Sequence, residues 1–235
     1  LVLSIPLVIR AGGFASLRRF NAAFAERYRI APGALRRVRS PVPSPDGALV
    51  VRLGYRPPYD IAGTLRFLAR RAVAGVESVD EGALELRRTL ALAHGEHTPA
   101  GWLACRFVPQ RHEIEVTIAP ALAPALGPVL QRLRQWLDTD ADPALVDPAL
   151  ATLPGAAVPG VRVSGAIDGF ESAVRVILGQ QVSVAAARTL ARRLVDAPGM
   201  PIATPIDGLA RLFPSARQIA EADAAAIARL GIVRQ

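Results

Sequence analysis

The sequence predicts an α+β chain: a helical piece over residues 1–39, a linker over 40–48, an antiparallel sheet with two helices over 49–141, and an all-helical part over 142–235. Three observations carry this. Five short apolar runs between residues 49 and 118 have strand character, and the last, Glu113 to Ile118, alternates cleanly between polar and apolar. On either side of them, apolar residues recur at three and four positions, the helical period. Between Ser40 and Ala48 proline alternates with small residues, which makes a semi-rigid spacer and the clearest boundary in the chain.

At 235 residues the chain can hold one large domain or two small ones with true cores. It has no lysine, so all 28 basic residues are arginine. Eight of them fall in residues 1–40 against one acid, Glu26, whereas the other 195 residues are nearly balanced with 20 arginines against 19 acids. The positive excess lies at the N-terminus, where a polyanion such as DNA is the expected partner. The lone Cys105 excludes an intrachain disulfide, and one cysteine with His94, His97 and His112 scattered near strand turns makes no metal-ligand set. No cofactor is implied, and a reducing cytoplasm fits. The run Leu1 to Ile9 is too short to span a bilayer, contains Pro6 and has no basic region before it, so a soluble monomer is expected. The chain opens on Leu1 and stops after Gln235 without a closing element, so both ends read as cut.

The first helix follows Gly13. Ser16 is placed to cap it, Leu17, Phe20 and Phe24 form its inner face, and Arg18, Arg19, Asn21 and Ala22 face outward. A short helix with arginine and asparagine outside is what a major-groove recognition helix requires, because Arg reads guanine edges and Asn reads adenine. Continuing through Tyr28, Ile30, Pro32, Leu35 and Arg36, residues 11–37 resemble the second helix-turn-helix of AraC-type regulators. That resemblance implies base or backbone contacts from Ser16, Arg18, Arg19, Asn21 and Ala22, and phosphate contacts from Arg36 and Arg37. The helix before the turn, Ile5 to Arg10, is short, and the family's other motif is absent, so the piece is partial. An ordinary basic helix on a solvated face is the alternative.

Beyond the linker, strands are expected at Leu49–Leu53, Gly75–Val79, Leu84–Leu92, Gly101–Val108 and Glu113–Ile118. Helices are expected over 61–72, capped by the turn ending at Asp60 and carrying Leu65, Phe67, Leu68 and Ala72 inward, and over about 122–137. Cys105 in an apolar strand reads as a buried small hydrophobe.

Residues 168–194 show two helical patterns meeting at an uncharged polar step, Gly179-Gln180-Gln181. Asp168 and Glu171 have capping-box spacing, followed by a stripe of Phe170, Val174, Ile177 and Leu178. Ser183 caps the second helix, whose stripe is Val184, Ala187, Leu190 and Leu194 with Arg188, Arg192 and Arg193 outside it. A glycine beside two amides at a helix start can offer N–H groups and Gln donors and acceptors to a ligand.

Three groups of residues match a second family: Gly54 to Asp60 with Phe67 to Val73 and Gly75 to Glu77; Phe170-Glu171, Val174-Arg175 and Ile177 to Gln180; and Val182-Ser183-Val184. With Leu212 to Ala216, Ile219 to Asp223 and Ala228 to Gly231, they make residues 49–235 resemble AlkA-type 3-methyladenine DNA glycosylases. The resemblance implies an α+β layer followed by an all-α glycosylase domain, here incomplete, and a partner in double-stranded DNA, both promoter and alkylated. Such an enzyme takes the damaged base out of the stack and fills the gap. By resemblance Gln181 is the gap filler, Gln180 a pocket-side residue, and Phe67 an aromatic of the base pocket; a plain core phenylalanine is the alternative for Phe67. Gln181, with Ser183 beside it, is placed on the DNA side.

The reaction needs a carboxylate beside the glycosidic bond. In the family that acid follows a helix-hairpin-helix, whereas Leu153-Pro154-Gly155 lies before the Gln-Gln step and Ala157 replaces the second glycine. Asp196, Asp207, Glu221 and Asp223 sit at ordinary helix-start or surface positions, so no catalytic residue is assigned and no release of 3-methyladenine by residues 1–235 is expected. The expected role is an alkylation-response protein that joins a regulator to a base-excision glycosylase. The alternatives are a DNA-binding transcriptional regulator without glycosylase activity, or a cut product with no stable function.

Overall fold

The computed structural model describes residues 47–93, 97–153 and 158–232, with the strand residues 42–43 and, before them, Ser16, Arg18, Arg19 and Ala22. The chain divides into two compact units, 1–42 and 43–235. In the first, Arg18, Arg19 and Ala22 are helical and exposed, and the Arg19 amide donates to Ser16 Oγ at 3.2 Å, as a capping serine should. Asn21, Arg36 and Arg37 lie outside the described residues.

The second unit is built on an antiparallel sheet. Its working strands are β2 (Leu49–Gly54), β3 (Glu77–Asp80), β4 (Glu85–Ala91), β5 (Ala100–Val108) and β6 (Glu113–Ile118); β1 is only Val42–Pro43, where the units join. The order is β1-β2-β6-β5-β4-β3. Pairing Val51 with Val116, Leu103 with Ile118 and Leu86 with Cys105 brings apolar residues of matching parity together, so one face of the sheet is continuous core. Burial of Cys105 pushes its thiol well above the ordinary range.

Helix α1 (Ile61–Ala69) is started by Asp60, whose carboxylate accepts from the Gly63 amide at 2.9 Å, and buries Leu65. It stops short of the expected residue 72. The Val73 amide goes to Glu77 Oε2 at 3.1 Å instead of a helix carbonyl, and Gly75, at φ +90°, turns the chain toward β3. The second helix is shorter than expected as well. Pro120 and Pro124 hold residues 120–125 in a 3-10 turn, and α2 runs only from Leu126 to Trp136.

After Pro143 come α3 (Pro143–Leu150), α4 (Gly169–Leu178), α5 (Val184–Asp196), α6 (Ala216–Glu221) and α7 (Ala224–Arg229). The expectation of an all-helical part is corrected between α5 and α6. There Pro198, Gly199, Pro201, Pro205 and Gly208 break any helix, Pro201 bridges Arg211, and Leu209 bridges Gly75 beside the sheet. A second core of Val73, Val76, Leu178, Ala191, Leu194 and Val195 packs α4 and α5 against the turn that enters β3. Gly160 secures another approach. At φ +81° it accepts the Asp60 amide at 2.9 Å, and a Cβ there would lie 2.5 Å from the Pro58 carbonyl carbon.

Two expected apolar stripes are corrected. Ile177 is 64% exposed and Val184 46%, because α4 and α5 contact the rest of the unit along narrower seams centred on Leu178, Ala191 and Leu194. Arg188, Arg192 and Arg193 are exposed, as expected.

Candidate functional site

The polar step after α4 is an exposed turn. Gly179 ends α4, Gln180 and Gln181 are both exposed, and Ser183 Oγ accepts the Ala186 amide at 3.2 Å to start α5. Gln181 sits at φ +59°, the left-handed region, which in a non-glycine residue costs about 1–2 kcal/mol. Its side chain makes no hydrogen bond among the described residues. Leu84, His112 and Asp138 share the left-handed region, each at a turn, so the conformation of Gln181 also serves to end α4 and redirect the chain into α5.

Behind the turn lies a cavity of about 370 Å³. The end of α1 with Phe67 and Arg71, strands β3 and β4, Trp136, and α4 and α5 line it. Phe67, expected to point inward from α1, is instead 43% exposed and lies on this cavity. Its ring face is covered by the Arg71 guanidinium, 3.8 Å from the ring centroid. Neither Gln180, Gln181 nor Ser183 is a lining residue, although Gly179 before them and Val182 among them are.

The inner wall is an alternating quartet of charges. Arg88, 1% exposed, donates to Glu77 Oε1 at 2.8 Å and to Glu171 Oε2 at 2.7 Å; Arg175 donates to the same two carboxylates at 3.1 and 2.9 Å. The Arg88 guanidinium also lies 5.3 Å from the Trp136 ring centroid, and Arg175 donates to the Arg71 carbonyl. Burial alone would lower the Arg175 pKa, but Glu77 and Glu171 outweigh it and push it up. The quartet ties β3 and β4 to α4. It also corrects the capping box: the Asp168 carboxylate accepts the Glu171 amide at 2.9 Å, but the Glu171 carboxylate turns inward to the arginines. Burial would raise the Asp168 pKa, yet the Glu171 amide and Arg132, 2.9 Å away, hold it below the usual carboxylate value.

The quartet left two signals in the sequence. Arg88 has the parity of Leu86 and Leu90, both buried, and Glu171, Arg175 and Leu178 fall on one helical stripe. A charge at a core position on each of two elements calls for a partner.

The acids after residue 195 stand elsewhere. Asp196 pairs with Arg192, Glu221 with Arg217, and Asp223 caps α7; none of them, nor Asp207, lines the cavity. His97 and His112 are exposed, and His94 lies outside the described residues, as do Pro154, Gly155 and Ala157. No described helix is long and apolar enough to cross a membrane.

The family model of the AlkA N-terminal domain matches residues 50–168. The chain is 36% identical over 223 residues to a Mycobacterium tuberculosis protein described as a probable bifunctional transcriptional activator/DNA repair enzyme AlkA, covering 91% of this chain and 43% of that one. It is 35% identical over 180 residues to DNA-3-methyladenine glycosylase 2 of Escherichia coli, covering 77% and 61%. Among solved structures, the 3-methyladenine DNA-glycosylase from Archaeoglobus fulgidus superposes with a TM-score of 0.59 at 18% identity, covering 77% of this chain and 62% of that one. The chain thus spans less than two thirds of the curated relatives it matches, and the solved structure supports the fold alone.

Proposed function

The chain belongs to the AlkA N-terminal domain family, and from that membership we propose that it serves DNA alkylation repair by probing duplex DNA for damaged bases. In this reading Gln181 enters the stack where a base has left it, with Gln180 and Ser183 at the same rim. The everted purine, of the 3-methyladenine kind, goes toward the cavity and Phe67. One observation carries the reading: a residue held in a costly backbone conformation is presented, unpartnered, beside a cavity with an exposed aromatic. The left-handed turn between α4 and α5 holds Gln181 outward, and an amide there can bond the orphaned opposite base.

Residues 1–39 are proposed as a promoter-reading AraC-type piece with Ser16, Arg18, Arg19, Asn21, Arg36 and Arg37 at the DNA, joined by the linker 40–48 to the layer 49–141 and the helical part 142–235. The exposed, capped placement of Arg18 and Arg19 supports it, as does the relative described as a transcriptional activator. A cytoplasmic, monomeric protein is proposed with it.

A regulator without glycosylase activity is the second reading. Both cavity-lining carboxylates, Glu77 and Glu171, are held by two arginines each, so neither is free to serve a glycosidic bond. Incubation of the chain with alkylated duplex tests the point: no free 3-methyladenine is expected, and its release would place a working acid within these residues. For the N-terminal piece, Arg18→Ala with Arg19→Ala should weaken promoter binding and flatten its salt dependence. An unchanged salt slope would move that contact elsewhere.

A further inference from the structure

Five arginines line the cavity, and their partners divide them. Arg88 and Arg175 are neutralised within the quartet, and Arg87 pairs with Glu85 at 2.5 Å. Arg71 and Arg188 have no carboxylate within salt-bridge distance among the described residues. Both are anchored to the same short stretch of backbone: Arg71 Nη1 donates to the Phe67 carbonyl at 3.2 Å, and Arg188 Nε to the Ala72 carbonyl at 3.1 Å. Binding a carbonyl at the end of α1, or in the turn just after it, explains one N–H of each guanidinium. The remaining donors are left over, Arg188 is exposed, and both belong to the wall that also carries Phe67.

We propose that Arg71 and Arg188 form a phosphodiester-binding pair at the mouth of the cavity, which grips the backbone of the nucleotide that enters it. The inference rests on the base-probing reading above. When a nucleotide rotates out of a duplex its phosphate travels with it and arrives at the rim, not in the interior. A guanidinium pair suits that anion, since Arg presents planar paired donors to phosphate oxygens. The fixed quartet arginines cannot do this, because their donors and charges are already used. Arg71 gains a second role: while it lies on Phe67 it covers the ring face that a base would stack on, and its transfer to phosphate uncovers that face.

The test compares two short duplexes, one fully paired and one carrying a tetrahydrofuran abasic analogue, which supplies an everted sugar-phosphate without a base. Binding of the whole chain is followed across a salt series for the wild type, the R71Q/R188Q double variant and the R71K/R188K double variant. On the abasic duplex the Gln variant should lose roughly tenfold in affinity, and its slope of log K against log salt should fall by roughly one to two. The Lys variant should retain the slope, and the paired duplex should show no change between proteins. An unchanged slope on the abasic duplex overturns the pair, and so does an equal fall on both duplexes, which would mark a general surface charge. A wild type that does not prefer the abasic duplex at all overturns the base-probing reading and the pair with it.

Discussion

Replacing Gln181 with glycine separates the cost of its backbone from the use of its side chain. At φ +59° the glutamine carries about 1–2 kcal/mol of left-handed strain, which glycine would not. Against this, glycine adds roughly 0.5–1 kcal/mol of unfolded-state entropy. The balance is a gain of between about zero and 1.5 kcal/mol, since no side-chain hydrogen bond of Gln181 is lost among the described residues. For a unit of this size that gain raises the melting temperature by up to about 6 °C. Gln181→Ala keeps the strain and should melt with the wild type. Both variants should bind a duplex with a mismatched or abasic site up to roughly tenfold more weakly, because the group that fills the gap is gone; a hydrogen bond to the orphaned base is worth about 0.5–1.5 kcal/mol. Calorimetry and fluorescence anisotropy on the three proteins measure the two effects. The reasoning is refuted if Gln181→Gly melts several degrees lower, which would make the turn a folding element. Unchanged lesion binding in both variants would refute the gap-filling role.

Two further outcomes test the wall behind that turn. Arg88→Met leaves Glu77 and Glu171 sharing Arg175 alone, and breaking such a buried network should cost about 3–5 kcal/mol; adding Glu171→Leu should recover part of it, and equal melting of wild type and Arg88→Met would show the network to be dispensable. Because the Asp168 pKa is lowered on folding, its contribution is complete above the ordinary carboxyl value of 3.8 and is lost as pH falls through the lower folded value. Acid unfolding of Asp168→Asn should therefore show a shallower limb below about pH 4, and an identical limb would remove Asp168 from the acid-sensitive groups.

The sheet was legible because its signal is local. Alternation in Glu113–Ile118 fixes both strand and face, and that strand occurs with the expected bounds. The caps at Asp60, Asp168 and Ser183 were legible for the same reason, since a capping side chain acts three residues away. Features that depend on distant partners were not. Glu171 has the spacing of a capping box, but two arginines, one of them 83 residues earlier, offer a buried carboxylate more than an exposed amide does. Ile177 and Val184 fit apolar stripes whose partners do not reach them. The α1 end at Ala69 is set by where Glu77 returns, which no helical period encodes. At the candidate site, resemblance singled out Phe67 and Gln181; the position of Phe67 on the cavity and the strained backbone of Gln181 come only from the three-dimensional arrangement.

The central claim, that this chain draws a base out of duplex DNA beside Gln181, is tested most directly with 2-aminopurine, whose emission is quenched by stacking. A duplex carrying it at a mismatch should brighten as the wild-type chain binds, with a rise that follows the anisotropy curve, and should stay dark with Gln181→Ala at saturating protein. Full binding of the wild type by anisotropy with no rise in emission would contradict the claim.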